Sequence, residues 1–295
     1  MIAPFALPFM ARALAELGLL ALVCGPVSAL VFARRLSFVS DALTHTVFPG
    51  VVIGFVAGGL DGLFIGALIA AVLTAVVLTL LSRSGATSDD ASTAVVLTAM
   101  FSVGVVLVSR RSSYTSDLTS FLFGRILTVT PRQIAETAVL VAVVLGLLAI
   151  GARALIFRAF DPAGAAAAGY RIGWLDLWLN VIVALVVVAA VRAVGTILVV
   201  ALLIVPAAAA RMITDRLATM AVLSTVLILA AGYAGLLASW IASVDYGIAL
   251  TSASTVVLLL VLAYVSLIPI GVMRSRRARP ALSPAAQRSP HELVG

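Results

Sequence analysis

The stretch SFVSDALTHTVFPG, residues 37–50, decides how the chain is read. It opens a long apolar segment, yet it carries Asp41 and His45 four residues apart and Pro49 four further on. His45 is the only histidine before the last five residues. A carboxylate and an imidazole at i and i+4 lie on one helix face. A proline then removes the N–H that the carbonyl of residue i−4, here His45, would have accepted.

The surroundings of that stretch fix its solvent. The chain has 295 residues, 63% of them apolar, 11% charged, with a mean hydropathy of +1.24. Soluble domains carry roughly 25% charged residues. Crossing a bilayer takes about 20 apolar residues, and stretches of that kind run near 13–33, 38–59, 62–82, 91–109, 133–152, 174–192, 196–213, 219–241 and 247–270. The expected fold is therefore all-α and polytopic, with eight or nine membrane helices. The pair 174–192 and 196–213 is close enough that one member could be re-entrant.

Arginine placement orients the spans. With the N-terminus outside, Arg34, Arg35, Arg83, Arg153, Arg158, Arg171, Arg211, Arg216 and five tail arginines fall inside. Arg12, Arg110, Arg111, Arg125, Arg132 and Arg192 fall outside. The composition implies a membrane domain over 1–273 and an Arg/Pro-rich, disordered cytoplasmic tail over 274–295. There is no lysine, hence no GxxxxGK[ST] phosphate loop, and any ATP must be bound by another chain. The net charge of +7 sits at span ends and in the tail, so nucleic acid is not an expected partner. HExxH and GxSxG signatures are absent, which argues against an enzyme. The lone Cys24 rules out an internal disulfide.

Counted from Leu36 at 1.5 Å per residue, Asp41 lies about 8 Å and His45 about 14 Å into the bilayer. Charged groups at such depth cost a few kcal/mol and face a cavity or the bundle interior. Asp41, His45 and the freed His45 carbonyl offer oxygen and nitrogen donors suited to Mn²⁺, Zn²⁺ or Fe²⁺ rather than copper(I). Two copies facing one another would supply two Asp and two His, a four-ligand station. A proton relay and a simple Asp–His hydrogen bond fit the same spacing.

Elsewhere, Pro206 in LLIVPAAAAR marks an expected kink or gate. Asp161–Pro162 reads as a helix start that Gly169 ends, and Arg211–Met220 (RMITDRLATM) reads as a second inner helix. Asp89–Asp90 read as helix caps. Glycines at 50, 54, 58, 62 and 66 make a four-residue ladder for close helix approach, expected to split between two spans at an Asp61–Gly62 turn. Glu16, four after Arg12, and Glu136, four after Arg132, read as surface ion pairs. The alternative is an outer cation funnel that includes Asp61 and Asp245.

The stretch RRLSFVSDALTHTVFPGVVIGF (34–55) resembles the signature of the permease subunits of bacterial zinc/manganese/iron ABC importers, with Ser40 for the usual Gly and Thr44 for the usual Ser. DLTSFLFGRILTVT (117–130), FDPAGAAAAGY (160–170) and VGTILVVALLIVPAAAARMITDRL (194–217) are similar to further family patterns, in the same order. The resemblance implies a type II ABC importer-like permease. It would dimerise, dock on cytoplasmic ATP-binding subunits and receive metal from an extracytoplasmic binding protein in a bacterial plasma membrane. It associates Asp41 and His45 with the ion pathway. The ion would be cargo, with no permanently bound cofactor. Two inner segments are candidates for ATPase coupling: Asp161 to Gly169, where Gly164 and Ala165 replace bulkier or more polar family residues, and Arg211, Asp215 and Arg216 beside the Pro206 span. The second is favoured because it extends a kinked span. The rival reading is a proton-coupled secondary transporter with Asp41 and His45 as relay.

Overall fold

The computed structural model describes residues 3–85, 88–109, 124–248 and 250–278. The described residues form helices and connecting turns. The helices are α1 (Pro8–Ala33), α2 (Ser37–Thr46), α3 (Phe48–Ser84), α4 (Asp89–Ser109), α5 (Pro131–Phe160), α6 (Pro162–Ala167), α7 (Ile172–Ile213), α8 (Leu217–Asp245) and α9 (Ser252–Ala278). α9 runs five residues past the boundary expected at 273. The tail from 279 and the outer-loop segment 110–123 lie outside the described residues.

Local chemistry starts and stops these helices. Thr130 accepts the Gln133 N–H while Gln133 accepts the Thr130 N–H, a capping box with Pro131 in the first turn of α5. Asp161 accepts the Gly164 N–H at 2.8 Å and so starts α6, as the sequence implied. Gly169, at φ +88°, follows its end. At α4 the cap differs from expectation: Ser88 Oγ accepts the Ala91 N–H, and Asp89 and Asp90 occupy the first turn. There their charge favours the helix N-terminus.

Among the described residues eight helices are long and apolar enough to cross a membrane, but α7 is 42 residues long. At 1.5 Å per residue a straight helix of that length would span about 63 Å, twice the hydrocarbon core. Its packing shows what it does instead. Near its start, Asp176 pairs with Arg34 at the end of α1. Near its end, Ala207 and Ala210 cluster with Ala29, also near the end of α1. Both ends of α7 therefore lie at the same end of α1. The chain doubles back at Gly195, which has φ +77° and ψ 164°, a conformation only glycine adopts readily. A similar reversal divides α3 at Gly58 and Gly59. α7 thus supplies two crossings, which with the other seven long segments makes nine among the described residues. The close pair 174–192 and 196–213 is a full hairpin rather than a re-entrant turn.

The glycine ladder splits between two spans as expected, but the turn lies at Gly58–Gly59, before Asp61–Gly62. Gly54 faces Gly62 and Gly50 faces Gly66, backbone against backbone. This close approach needs the absence of side chains on both arms. α1 and the α7 hairpin form the centre. α8 packs antiparallel along α1, with Gly232 against Leu17 and Gly25 against Thr225.

Candidate metal pathway and the polar nodes around it

α2 buries Ser40, Ala42, Leu43, Thr44 and Thr46. Asp41 and His45 are left on its open side, with side chains 38% and 31% exposed. Phe38, one turn earlier on that side, is also exposed. The His45 Nε2 and Asp41 Oδ1 atoms are 3.9 Å apart, close enough for attraction and too far for a hydrogen bond. The imidazole stands edge-on to Phe101 of α4, centroids 5.9 Å apart, and Phe101 in turn packs on Phe48 at 6.0 Å. The ring therefore packs against an aromatic wall on one side and stays partly exposed on the other. Among the described residues no three His, Cys, Asp or Glu side chains converge as a metal site. One chain therefore offers two donors at this place.

Pro49 sits in the first turn of α3, and the helix breaks two residues earlier at Val47, which keeps helical dihedrals. The His45 carbonyl, however, accepts the Val47 N–H, so it is not the free third donor that the proline argument implied. Pro206 lies buried within α7. The non-helical point of α7 is Gly195, eleven residues earlier, where the two arms of the hairpin meet.

The inner segments also differ from expectation. Arg211–Met220 is not a helix of its own: α7 ends at Ile213, Thr214 is extended, and α8 begins at Leu217. Asp215 in that link pairs with Arg211 and, at 2.9 Å, with Arg274 of α9. Arg274 also donates to the Met212 carbonyl at 3.1 Å, while Arg216 N–H donates to Thr214 Oγ1. Only α6, Pro162–Ala167, stands as a separate inner helix.

The outer acids divide. Arg132 and Glu136 pair at 3.1 Å as expected. Glu16 does not pair with Arg12, which donates to the Pro8 and Val129 carbonyls. Glu16 is fully buried and accepts from Thr137 Oγ1 at 2.8 Å, leaving Oε2 without a partner. Beside it, Arg192 pairs with Glu136 at 2.7 Å and lies over the Phe64 ring at 5.5 Å. Glu16, Thr137, Glu136, Arg192 and Phe64 line one small cavity joining α1, α3, α5 and α7. These two glutamates are occupied in packing and pairing, which removes them from an outer funnel. Asp245 is exposed at the end of α8. The Asp61 side chain lies outside the described residues.

Sequence reasoning passed over Asp176. It accepts from Arg34 at 2.6 Å and from Arg158 at 3.3 Å, tying α1, α5 and α7 at the inner end. The available signal was its position: one acid in the apolar run IGWLDLWLN, near the start of a span and beside an arginine-rich boundary.

Known proteins resemble this chain in sequence and, for one solved structure, in fold. The manganese transport system membrane protein MntC of Listeria monocytogenes is 31% identical over 249 residues, which cover 84% of this chain and 88% of that protein. The chelated iron transport system membrane protein YfeD of Yersinia pestis is 31% identical over 237 residues, 80% of this chain and 79% of its own. A solved structure, PsaBC from Streptococcus pneumoniae in complex with Fab, superposes with a TM-score of 0.80 at 29% identity, covering 94% of this chain and all of that chain. A model of the ABC 3 transport family matches residues 6–268, from before α1 to well into α9. With the match running through every membrane crossing, the chain is a multi-pass membrane protein that belongs to the ABC 3 transport family.

Proposed function

We propose that this chain is the permease subunit of a bacterial ABC importer and moves a divalent transition metal ion inward, with Asp41 and His45 as a transient ligand pair. Membership of the family and the relatives named for manganese and iron transport support the transport role and the class of cargo. One observation carries the site: in a helix whose other face is buried, the open side presents a carboxylate and an imidazole. Turned to acyl chains, such a pair would cost a few kcal/mol. Facing a second copy across a watery passage, it becomes half of a four-donor station of the kind Zn²⁺ and Mn²⁺ accept.

The chain works as a homodimer on two cytoplasmic ATP-binding subunits, and a binding protein delivers the ion from outside. The ion leaves that protein and exchanges water for Asp41 oxygen and His45 nitrogen. It then moves on because two donors per chain hold it weakly enough to release. α6 is the better ATPase contact, because it alone is a discrete inner helix, held by the Asp161 cap and by Phe157 against Tyr170. Pro49 sets the bend that ends the ligand helix.

The test is uptake of Mn²⁺, Zn²⁺ and Fe²⁺ by cells expressing wild type, Asp41→Ala, His45→Ala or the double variant. Each variant should lose uptake while still copurifying with its ATPase. Wild-type uptake in the double variant overturns the site. Uptake that persists without ATP and follows a proton gradient overturns the ABC mechanism in favour of a secondary transporter.

A further inference from the structure

We infer that Asp176 is the positioning residue that transmits movement of α6 to the ligand pair on α2. The inference rests on the functional reading above and extends it to how the two ends of the machine are joined.

Three segments meet at this carboxylate. Arg158, three residues before the Asp161 cap of α6, donates to Oδ2 at 3.3 Å. Arg34 donates to Oδ1 at 2.6 Å. Asp176 itself lies in the first turns of α7, four residues after that helix begins at Ile172. The two connections of α6, before and after it, therefore converge on one side chain. Arg34 is the residue from which the chain turns into α2, seven residues before Asp41. That turn is stiff. Arg35 has φ +56°, a left-handed conformation that a non-glycine residue keeps only when its surroundings impose it. Leu36 N–H closes onto the Val31 carbonyl and Ser40 N–H onto the Leu36 carbonyl, so the turn runs into α2 without slack.

Asp176 has no substitute in this node. The Arg34 and Arg158 side chains are 10% and 17% exposed, and each keeps one buried nitrogen, Nη1 and Nε respectively, with no partner. Among the described residues Asp176 is the one acid paired with either arginine. Its loss would leave two largely buried guanidinium groups beside one another and remove the side-chain link between the α1–α2 turn and the segments that flank α6. Neutralising Asp176 should therefore disconnect ATP hydrolysis from metal movement rather than abolish either partner's own chemistry.

The experiment reconstitutes the full transporter, permease with its ATPase and binding protein, in proteoliposomes. It measures Mn²⁺ accumulated per ATP hydrolysed for wild type, Asp176→Asn, Asp176→Glu and Arg158→Gln. Asp176→Asn is expected to lower that ratio at least tenfold while hydrolysis continues, Asp176→Glu to recover most of it, and Arg158→Gln to fall between. If Asp176→Asn does not assemble, Arg158→Gln, which breaks only the longer arm, decides alone. An unchanged ratio in an assembled variant, including one in which uptake and hydrolysis fall together, overturns the inference. A wild-type complex that hydrolyses ATP with the binding protein present but moves no Mn²⁺, Zn²⁺ or Fe²⁺ overturns the functional reading instead.

Discussion

Alanine at Gly54 puts the hairpin that carries the ligand helix under a measurable load. A methyl group there would stand 2.9 Å from the Gly62 carbonyl carbon and closer still to its oxygen, against ordinary contact at 3.4 Å or more. The two arms of α3 must part by about 1 Å to clear the Gly62 oxygen, and the obstacle is backbone, which cannot rotate away. Overpacking of this kind costs roughly 1–3 kcal/mol. Alanine's better helix propensity returns up to about 1 kcal/mol, so a net loss of up to about 3 kcal/mol is expected. Gly18 in α1 is the internal control, because a methyl group there meets nothing within 4 Å. Gly18→Ala should be neutral or stabilising by up to about 1 kcal/mol. The assay is thermal unfolding of the purified chain in nanodiscs, followed by a thiol-reactive dye. Cys24 is the single cysteine and is fully buried, so it reports only when the bundle opens. Gly54→Ala should release Cys24 at a lower temperature than wild type, and Gly18→Ala should not. Equal release temperatures for the two variants would refute the backbone-contact reasoning.

Three further outcomes follow from the same geometry. With Cys24 sealed, Asp41→Cys should be modified by a water-soluble thiol reagent in the assembled transporter, whereas Leu43→Cys, on the fully buried side of α2, should not. Thr137→Val removes the one hydrogen bond that the described residues give to the buried Glu16 carboxylate and should lower stability by about 1–3 kcal/mol in denaturant titration, while Glu16→Gln, which keeps an acceptor for Thr137 and removes a buried ionisable group, should cost less. Asp161→Ala loses the bond to the Gly164 N–H, about 0.5–2 kcal/mol of capping. It should raise hydrogen exchange across α6 and weaken copurification of the ATPase.

Much of the architecture was legible because the bilayer forces it. Every crossing had to be a long apolar helix, and the gap between residues 192 and 196 already marked the hairpin now seen at Gly195. The Asp41–His45 pair was legible because ionisable side chains at such depth are rare and share a face at i, i+4. The reversal falls at Gly195 because it needs a positive φ that glycine alone supplies cheaply, whereas Pro206 stays within its helix. Glu16 misled the local reading. The i, i+4 rule gives neighbours on a helix surface but not whether that surface is exposed, and α5 brings Thr137 against it from 121 residues away. Asp176 was missed because its partners, Arg34 and Arg158, come from two other helices and leave no local spacing to notice.

The central claim is that the open side of α2 holds a metal ion between two copies of this chain. Anomalous diffraction at the manganese edge, from crystals of the assembled transporter soaked in Mn²⁺, addresses it most directly. The expected result is a peak on the two-fold axis, within about 2.0–2.6 Å of carboxylate or imidazole atoms of Asp41 and His45, lost in His45→Ala. A dimer in which both side chains face acyl chains, with any manganese peak elsewhere, would contradict it.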